Sequence, residues 1–331
     1  MKGEAARSEA SSKQRERWLG SRPFRTILRI AAAVGGAALM AGGLGLIWPE
    51  PDPMAETPPT ADDPASLAPL PKQPVMVLVV GLDGDGLNDM SNQAAPLGPA
   101  NADSLMLLNV SAGGPLQVLQ LPIELAVNLP GQDELQSLSA TYRQGGVSLT
   151  ADVIAEVVGL DEGKPDRYVV MPREALRTLV DGLGEVDVTL NQTYSRQDLA
   201  QNYSVNLQAG RQTLNGQQAE QLARHKANPG DEEDRRRRQQ KLLSGIHDQL
   251  NQPNAITLLP TVVGALSLQI ETDLTPPEIL SLAAGVLSSQ EAPEISQLQL
   301  APRVGQQLLR ELKPDQPLPL WPLLANEGAG S

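Results

Sequence analysis

The amino-acid sequence predicts an α/β domain, with helices layered on one or both faces of a sheet, preceded by a single transmembrane helix. Two continuous apolar runs, Val75–Leu82 and Leu105–Val110, are typical of strands that are covered on both faces. Segments with helical periodicity alternate with further strand-like runs in the rest of the chain. Ile30–Trp48 carries no charge over about nineteen residues, the length that a helix needs to cross ~30 Å of hydrocarbon.

The other elements follow in chain order. Apolar runs bounded by glycine, proline or polar residues predict strands at Leu116–Leu121, Tyr168–Met171 and Val186–Leu190. Helices are expected at Thr150–Val158, Arg173–Asp181, Asn215–Arg224, Asp234–Leu250 and Ile279–Leu287. The last helix follows Thr275-Pro276-Pro277-Glu278, which has the cap-Pro-x-Glu form of a helix start.

The N-terminal segment predicts how the chain is held in a membrane. Residues 1–29 carry eight basic and three acidic side chains, whereas the whole chain has a net charge of −13. The positive-inside rule therefore places a basic tail, 1–29, in the cytoplasm and exports everything after the helix at 30–48. A buried helix or a cleavable signal sequence is the alternative interpretation of that helix. Residues 49–74 are rich in proline and predict an extended, semi-rigid extracytoplasmic linker.

The chain after the linker divides into three parts. Residues 75–252 contain most of the expected strands and helices and form the main domain. Residues 253–312 continue the helix and strand pattern as a C-terminal extension, which is either a trailing part of the same domain or a small partner-binding appendage. Residues 313–331 contain several prolines and a Gly-Ala-Gly sequence, so they are expected to be a loosely packed tail.

Composition excludes several classes of protein. The chain has no cysteine, which rules out disulfides, thiolate nucleophiles and thiolate zinc sites, and two histidines leave few options for a histidine metal site or triad. The balance of 26 Lys and Arg against 39 Asp and Glu argues against nucleic-acid binding, which depends on neutralising phosphates. Carboxylates and arginines remain to carry any chemistry, and an anionic partner would need a local basic pocket.

One segment of this acidic chain concentrates basic residues. They are Arg224, Lys226, Arg235, Arg236, Arg237, Arg238 and Lys241. Four acidic residues at 231–234 precede the arginine run, and acids at a helix N-terminus favour the macrodipole, so the simplest interpretation is a well-capped, solvated helix. Against it, Arg235, Arg238 and Gln239 share a helical face that continues to Leu242. Two guanidiniums that are aimed inward imply an anion.

Six segments carry recognisable motifs in order. The longest reads Gly210-x3-Leu214-Asn215-Gly216-x2-Ala219-x4-Arg224-x-Lys226, followed by Arg235-x2-Arg238-Gln239-Gln240. The others are Val77–Asp83, Ala102–Leu107, Leu121–Gly131, Ala140–Gly146 and Leu179–Val188. Together they resemble the LytR-CpsA-Psr family, of which the chain looks like a divergent member. The resemblance covers roughly residues 75–250, and it rests on the number and order of the motifs because each alone is weak.

The resemblance implies an α/β/α sandwich around a central mixed sheet, and an extracytoplasmic phosphotransferase anchored in the cytoplasmic membrane by one helix. Such an enzyme would move a polyprenyl-pyrophosphate-linked glycopolymer onto peptidoglycan or another envelope acceptor, with Mg²⁺ as cofactor. Phosphoryl transfer is catalysed mainly by positioning and by charge placed around the phosphoryl oxygens, which suits a chain limited to carboxylates and arginines.

The resemblance also implies roles for individual residues. Asp83 and Asp103 would hold Mg²⁺, which is commonly bound by one or two carboxylates and substrate phosphate oxygens. The catalytic residues would be Asp103, Arg224, Arg235 and Arg238. The pyrophosphate would be bound by Lys226, Arg235, Arg238 and Gln239. A cavity rich in Leu and Val beside them would accept the isoprenoid tail.

Several cations of the family pattern are missing. Asp85, Asn101 and Ile123 stand where the resemblance leads us to expect arginines, and Lys226 replaces an arginine without its bidentate fork. Candidates to substitute in space are Arg143, Arg236 and Arg237. Two function classes therefore stay open, a divergent phosphotransferase that still turns over and a non-catalytic relative that binds a glycopolymer or acts as an envelope scaffold. An unrelated anchored α/β domain is the third interpretation.

Overall fold

The computed structural model is built around a six-stranded mixed sheet. It describes residues 63–322, except 88, 90–98, 199–202, 227, 229–230, 290, 304, 306 and 317. Its strands are β1 (Val75–Leu82), β2 (Ala102–Val110), β3 (Gln117–Leu121), β4 (Ala126–Val127), β5 (Gln136–Ser137), β6 (Arg167–Met171), β7 (Val186–Leu190), β8 (Tyr194–Asp198), β9 (Tyr203–Leu207), β10 (Gly210–Leu214), β11 (Glu271–Thr272) and β12 (Glu294–Gln297). Its α-helices are α1 (Ala140–Val158), α2 (Arg173–Gly182), α3 (Gly216–Arg224), α4 (Glu232–Leu250), α5 (Ala255–Leu266) and α6 (Pro276–Leu287), and a short 3₁₀ helix spans Pro64–Ser66.

The strand order of the large sheet is β11-β6-β1-β2-β3-β12. β1 runs antiparallel to β2 and parallel to β6, and β3 runs antiparallel to β2 and parallel to β12. The central mixed sheet that the resemblance implies is therefore confirmed. β7 pairs with β10 and β8 pairs with β9 in small antiparallel ribbons outside it.

Helices cover both faces of β1 and β2, which explains why β1 and the central part of β2, Leu105–Leu108, are apolar. On one face Leu78, Val80 and Leu107 are fully buried in a core that includes Ile154 of α1. On the opposite face helices α2 and α4 enclose a cavity against Val79. The arrangement is the layered α/β architecture that the sequence predicts.

The predicted elements appear in the structure, most of them with small changes at their ends. The capping box at Thr275 is present, because Glu278 reaches back to the Thr275 backbone N–H at 2.7 Å. The helix expected at Thr150–Val158 begins earlier, at Ala140, and crosses a kink at Gly145 and Gly146. Glycine provides the positive φ of +66° at Gly146 without the steric cost that other residues pay.

Residues 253–312, which the sequence leaves either as a trailing part of the main domain or as an appendage, contribute strands to the central sheet. β11 and β12 lie in this segment and form the two edges of the central sheet. The flanking segments are also packed, in contrast to the extended linker and loose tail that the sequence predicts. Trp321 is buried in the main core, and the hydroxyl of Ser281 in α6 donates to the carbonyl of Pro69. Apolar residues in both segments, including Ala68, supply the contacts that their prolines alone did not suggest.

The predicted cytoplasmic tail (1–29), transmembrane helix (30–48), first part of the linker (49–62) and last residues of the tail (323–331) lie outside the described residues. Within residues 63–322, no described helix combines the length and the apolar character that crossing a membrane requires. The membrane anchor stays a prediction from the sequence.

Candidate functional site

A cavity of about 260 Å³ lies between the sheet and helices α2, α3 and α4. β2 contributes Asp103 at one end of the cavity and Met106 and Leu108 further along the strand. In α2 a polar residue likewise precedes an apolar one, because Arg173 is followed by Leu176. α4 repeats it again, because Gln239 precedes Leu242 and two further apolar residues.

The polar residues of the three elements meet at one end of the cavity. Gly81 of β1 pairs with Ser104 of β2 and with Met171 of β6, so the start of β2 and the end of β6 lie in one row across the sheet. Arg173 comes two residues after Met171. The cavity therefore has a charged end and an aliphatic body, which is the shape of a site for an amphiphile with an anionic head. The aliphatic cavity expected beside the basic helix is confirmed.

Asp103 and Arg235 form an ion pair at the charged end. Arg235 Nη1 donates to Asp103 Oδ1 at 3.0 Å, and Nη2 contacts the carboxylate of Glu232 at 2.7 Å. The Arg235 side chain is 3% exposed and that of Asp103 is 32% exposed. The guanidinium is therefore fixed between two carboxylates, while Asp103 keeps an accessible surface towards the cavity.

Arg224 belongs to a cluster around the buried carboxylate of Glu220. Arg224 Nη1 donates to Glu220 Oε1 at 2.9 Å, and Arg177 Nη1 donates to Glu220 Oε2. Arg173 Nη1 lies 3.5 Å from Glu220 Oε1, and Arg177 Nη2 also binds Asp85 Oδ1 at 2.7 Å. Three guanidiniums thus converge beside the cavity from two helices.

Burial and ion pairing change the proton affinities in this cluster. Burial lowers the pKa of Arg173, and the neighbouring Arg224 lowers it further, against the opposing effect of Glu220. Burial also acts to lower the pKa of Arg177, but its hydrogen bonds to Asp85 and Glu220 outweigh that effect and raise it. Both remain cations at neutral pH, because an arginine side chain ordinarily stays protonated far above it.

Local packing explains why these helices come so close. A Cβ atom on Gly216, the first residue of α3, would lie 2.4 Å from the carbonyl oxygen of Arg177 in α2. Only glycine permits this approach. Asn215 caps α3 in a capping box with Gln218, and Asp181 Oδ1 accepts the N–H of Gly216 at 2.6 Å. The start of α3 is thereby fixed on α2, with Glu220 one turn further along.

The other predicted residues occupy different positions. Gln239 lines the cavity and its amide donates to the carbonyl of Ala223 at 3.4 Å. Arg238 is buried outside the cavity lining, where its guanidinium binds the His225 carbonyl and lies 5.1 Å from the centre of the Tyr194 ring. Lys226 pairs with Glu232 at 2.7 Å. The structure therefore brings Asp103, Arg224 and Gln239 to the cavity and sets Arg238 and Lys226 behind them.

The family model for the LytR_cpsA_psr family matches residues 54–310. The chain belongs to the LytR_cpsA_psr family. It is 24% identical over 230 residues to the polyisoprenyl-teichoic acid–peptidoglycan teichoic acid transferase TagU of Enterococcus faecalis, covering 69% of this chain and 71% of that protein. It is 22% identical over 201 residues to the regulatory protein MsrR of Staphylococcus aureus, covering 60% of this chain and 56% of that one.

Solved structures share the fold of this LytR_cpsA_psr chain. TagV of B. subtilis matches with a TM-score of 0.59 and 19% identity, covering 74% of this chain and 92% of that one. A LytR-Csp2A-Psr enzyme from Actinomyces oris matches with a TM-score of 0.57 and 19% identity, covering 72% and 86%. TagT bound to LI-WTA matches with a TM-score of 0.53 and 21% identity, covering 76% and 85%.

The departures from the LytR_cpsA_psr motifs take on a structural meaning. Asp85 is bound by Arg177, and Glu124, which follows Ile123, is bound by both carboxylate oxygens to Arg236. Arg237 is 59% exposed and pairs with acids of its own helix. Neither Arg236 nor Arg237 lines the cavity, nor does Arg143. Among the residues that the structure describes, the cations that line it are Arg224 and Arg173. Arg173 was not among the residues that the motifs indicate.

The two aspartates expected to bind metal lie at the same end of the β1–β2 pair. Asp83 follows β1 directly, its N–H donates to the Asn101 carbonyl, and its Oδ1 accepts the Asn101 N–H at 3.0 Å. Asp103 lies in β2, two residues after Asn101, and its Oδ1 accepts a hydrogen bond from Arg235. Across the described ranges, no group of three or more His, Asp or Glu side chains is arranged to hold a metal. Mg²⁺ takes few protein carboxylates and completes its shell with phosphate and water oxygens, so a metal at these two aspartates stays a prediction from the resemblance.

Proposed function

We propose that this protein is a membrane-anchored extracytoplasmic phosphotransferase that moves a glycopolymer from a polyprenyl-pyrophosphate carrier to peptidoglycan or another envelope acceptor. The observation that carries the proposal is the cavity with a charged end, at Asp103, Arg173 and Arg224, and an aliphatic body. A polyprenyl chain would fill the body and place its pyrophosphate among the arginines. The names of the relatives, which include teichoic acid transferases, support the same substrate class.

In the proposed reaction, an acceptor hydroxyl oxygen forms a bond to the phosphorus that bears the glycopolymer. The bond between that phosphorus and the bridging oxygen breaks, polyprenyl monophosphate leaves with the proton of the acceptor hydroxyl, and a phosphodiester remains. The arginines stabilise the charge on the phosphoryl oxygens, and Arg235 is held in place by Asp103 and Glu232. Mg²⁺ on Asp83 and Asp103 would supply additional positive charge at the same end of the cavity.

The second candidate is a non-catalytic relative that binds a lipid-linked or wall glycopolymer. It is favoured by Asp85, Asn101 and Ile123, which place no guanidinium where three arginines are expected. Removal of one preorganised donor commonly costs roughly 10²–10³ in rate, so their loss needs replacement for turnover to survive.

Turnover by the full-length protein in lipid nanodiscs tests the two candidates. The donor is a polyprenyl-pyrophosphate-linked oligosaccharide, offered with peptidoglycan fragments, with and without Mg²⁺. The proposal expects polyprenyl monophosphate release that depends on Mg²⁺ and is lost in Asp103→Ala and in the Arg235→Ala/Arg238→Ala double variant. Donor binding without product would support the non-catalytic candidate, and the absence of donor binding would contradict both.

A further inference from the structure

We propose that Arg173 binds the pyrophosphate of the donor, as a cation of the site that the family motifs do not indicate. The inference rests on the proposed function and assigns one more substrate-binding residue to it. Arg173 lies at the charged end of the cavity, and no predicted site residue is its neighbour in the chain.

The position of Arg173 is fixed by its backbone. Its N–H donates to the carbonyl of Gly84 at 3.1 Å, and the next N–H, of Glu174, donates to the carbonyl of Asp85 at 3.0 Å. These bonds attach the start of α2 to the loop that carries Asp83. The guanidinium of Arg173 is therefore delivered to the end of the sheet where both predicted metal-binding aspartates lie.

The guanidinium of Arg173 has unmet binding capacity. Its Nε is buried without a hydrogen-bond partner, and its one ion pair among the described residues is the 3.5 Å contact with Glu220 Oε1. Buried polar groups are normally hydrogen-bonded, and a guanidinium offers five N–H donors. The group is only 17% exposed, so water satisfies it poorly. An anion in the cavity would supply the missing acceptors.

The fold does not depend on Arg173 for its charge balance. Glu220 keeps its hydrogen bonds to Arg177 and Arg224 without it. A cation at the first residue of α2 also opposes the helix macrodipole, which favours acids at that end. Arg173 therefore contributes little to the free energy of unfolding. A buried cation that does not stabilise the fold is typical of a binding residue.

Arg173 and Arg177 together explain a departure from the family pattern. The loop after β1 carries Asp85 where an arginine is expected, and Arg177 of α2 pairs with that aspartate. One turn earlier, Arg173 faces the cavity. Helix α2 therefore supplies guanidiniums at the charged end of the cavity, where the family pattern expects one from the loop after β1.

The test compares Arg173→Gln and Arg173→Lys with the wild-type protein, all full-length and in nanodiscs. The probes are geranylgeranyl diphosphate and geranylgeraniol, measured by isothermal titration calorimetry, with thermal unfolding of each variant alongside. Arg211→Gln is the matched control, because Arg211 is 79% exposed and pairs with Asp187 outside the cavity.

Arg173→Gln is expected to weaken diphosphate binding by about 10- to 100-fold, to leave geranylgeraniol binding unchanged and not to lower the unfolding temperature. Arg173→Lys should recover part of the loss, since lysine keeps the charge without the fork. Equal diphosphate binding by wild type and Arg173→Gln would overturn the inference and leave the proposed function standing. Parallel weakening of both ligands with a lower unfolding temperature would show a structural role and also overturn it. If the wild-type protein failed to bind the diphosphate, the proposed function would fall with it.

Discussion

Arg236 binds the carboxylate of Glu124 through both oxygens, at 2.9 and 2.7 Å, in a pair that joins helix α4 to the segment after β3. The two side chains are 5% and 7% exposed, so the pair is almost removed from water. Arg236 lies between the predicted site residues Arg235 and Arg238 in the chain, yet its charge is neutralised by Glu124. It is a structural residue within a run whose neighbour Arg235 pairs with Asp103 of the site.

Breaking this pair from one side should destabilise the fold. Arg236→Met leaves a buried carboxylate without its counter-charge, and Glu124→Leu leaves a buried guanidinium, so each is expected to lower the free energy of unfolding by ~3–5 kcal/mol. The double variant should lose less than either single variant because no buried charge remains unpaired. Urea unfolding of the four proteins measures the coupling. Losses that simply add would show that the two residues do not depend on each other.

Replacement of Arg235 by lysine should reduce transfer without unfolding the protein. Arg235 contacts Asp103 through Nη1 and Glu232 through Nη2, and one ammonium cannot span both carboxylates in that geometry. We expect kcat to fall roughly 10²- to 10³-fold, because Asp103 would lose the contact that holds it at the charged end of the cavity, and one misplaced group in such a site commonly costs that much. Single-turnover release of polyprenyl monophosphate measures the step. Arg237→Lys, on the exposed side of the same helix, is the control and should keep wild-type turnover.

Filling the aliphatic body of the cavity should shorten the lipid chains that the protein accepts. Leu108 lies five residues beyond Asp103 on β2, about 17 Å from it along the strand. Leu108→Trp should weaken binding of long polyprenyl diphosphates more than that of a ten-carbon diphosphate. Titration of the two chain lengths gives the ratio. Leu268→Trp adds the same bulk at an 87% exposed position, and a similar change of ratio there would count against the assigned lipid site.

The sequence identifies most elements because their local signals are strong. β1 is apolar at nearly every position, and Thr275 with Glu278 marks the start of α6 without ambiguity. The hairpin of β8 and β9 was not predicted, because β8 is polar after Tyr194 and the alternation of apolar and polar residues in β9 is confined to five residues. In this hairpin the Arg196 guanidinium donates to the carbonyl of Lys226. The two residues are 30 positions apart, so no local sequence pattern relates them.

The site was harder to predict because helix α4 is buried on more than one side. A single amphipathic face would place Arg235 and Arg238 together, but Arg235, Arg236 and Arg238 are all buried, against Asp103, Glu124 and the Tyr194 ring respectively. Arg173 offered one weak signal, an arginine directly after a strand and Pro172. Its place beside Glu220 depends on the tertiary approach of α2 and α3.

His225 should make the stability of the fold sensitive to mild acid. Burial lowers its pKa below the usual 6.5, and the nearby cations Arg238 and Arg196 lower it further. The unfolded chain therefore takes up a proton near pH 6.5 that the folded chain does not. The free energy of unfolding should fall as the pH drops below about 6.5, and this fall should end once the pH passes the folded-state pKa.

His225→Phe isolates this effect. Phenylalanine preserves a ring beside Tyr194, whose centroid lies 5.2 Å away, and gives up no hydrogen bond at Nδ1, which is buried without a partner among the described residues. The variant should lose less stability than the wild type between pH 7.5 and 5.0, measured by urea unfolding, and the difference between them should be constant from pH 7.5 to 8.5. Identical pH profiles would mean that His225 is protonated equally in the folded and unfolded chain.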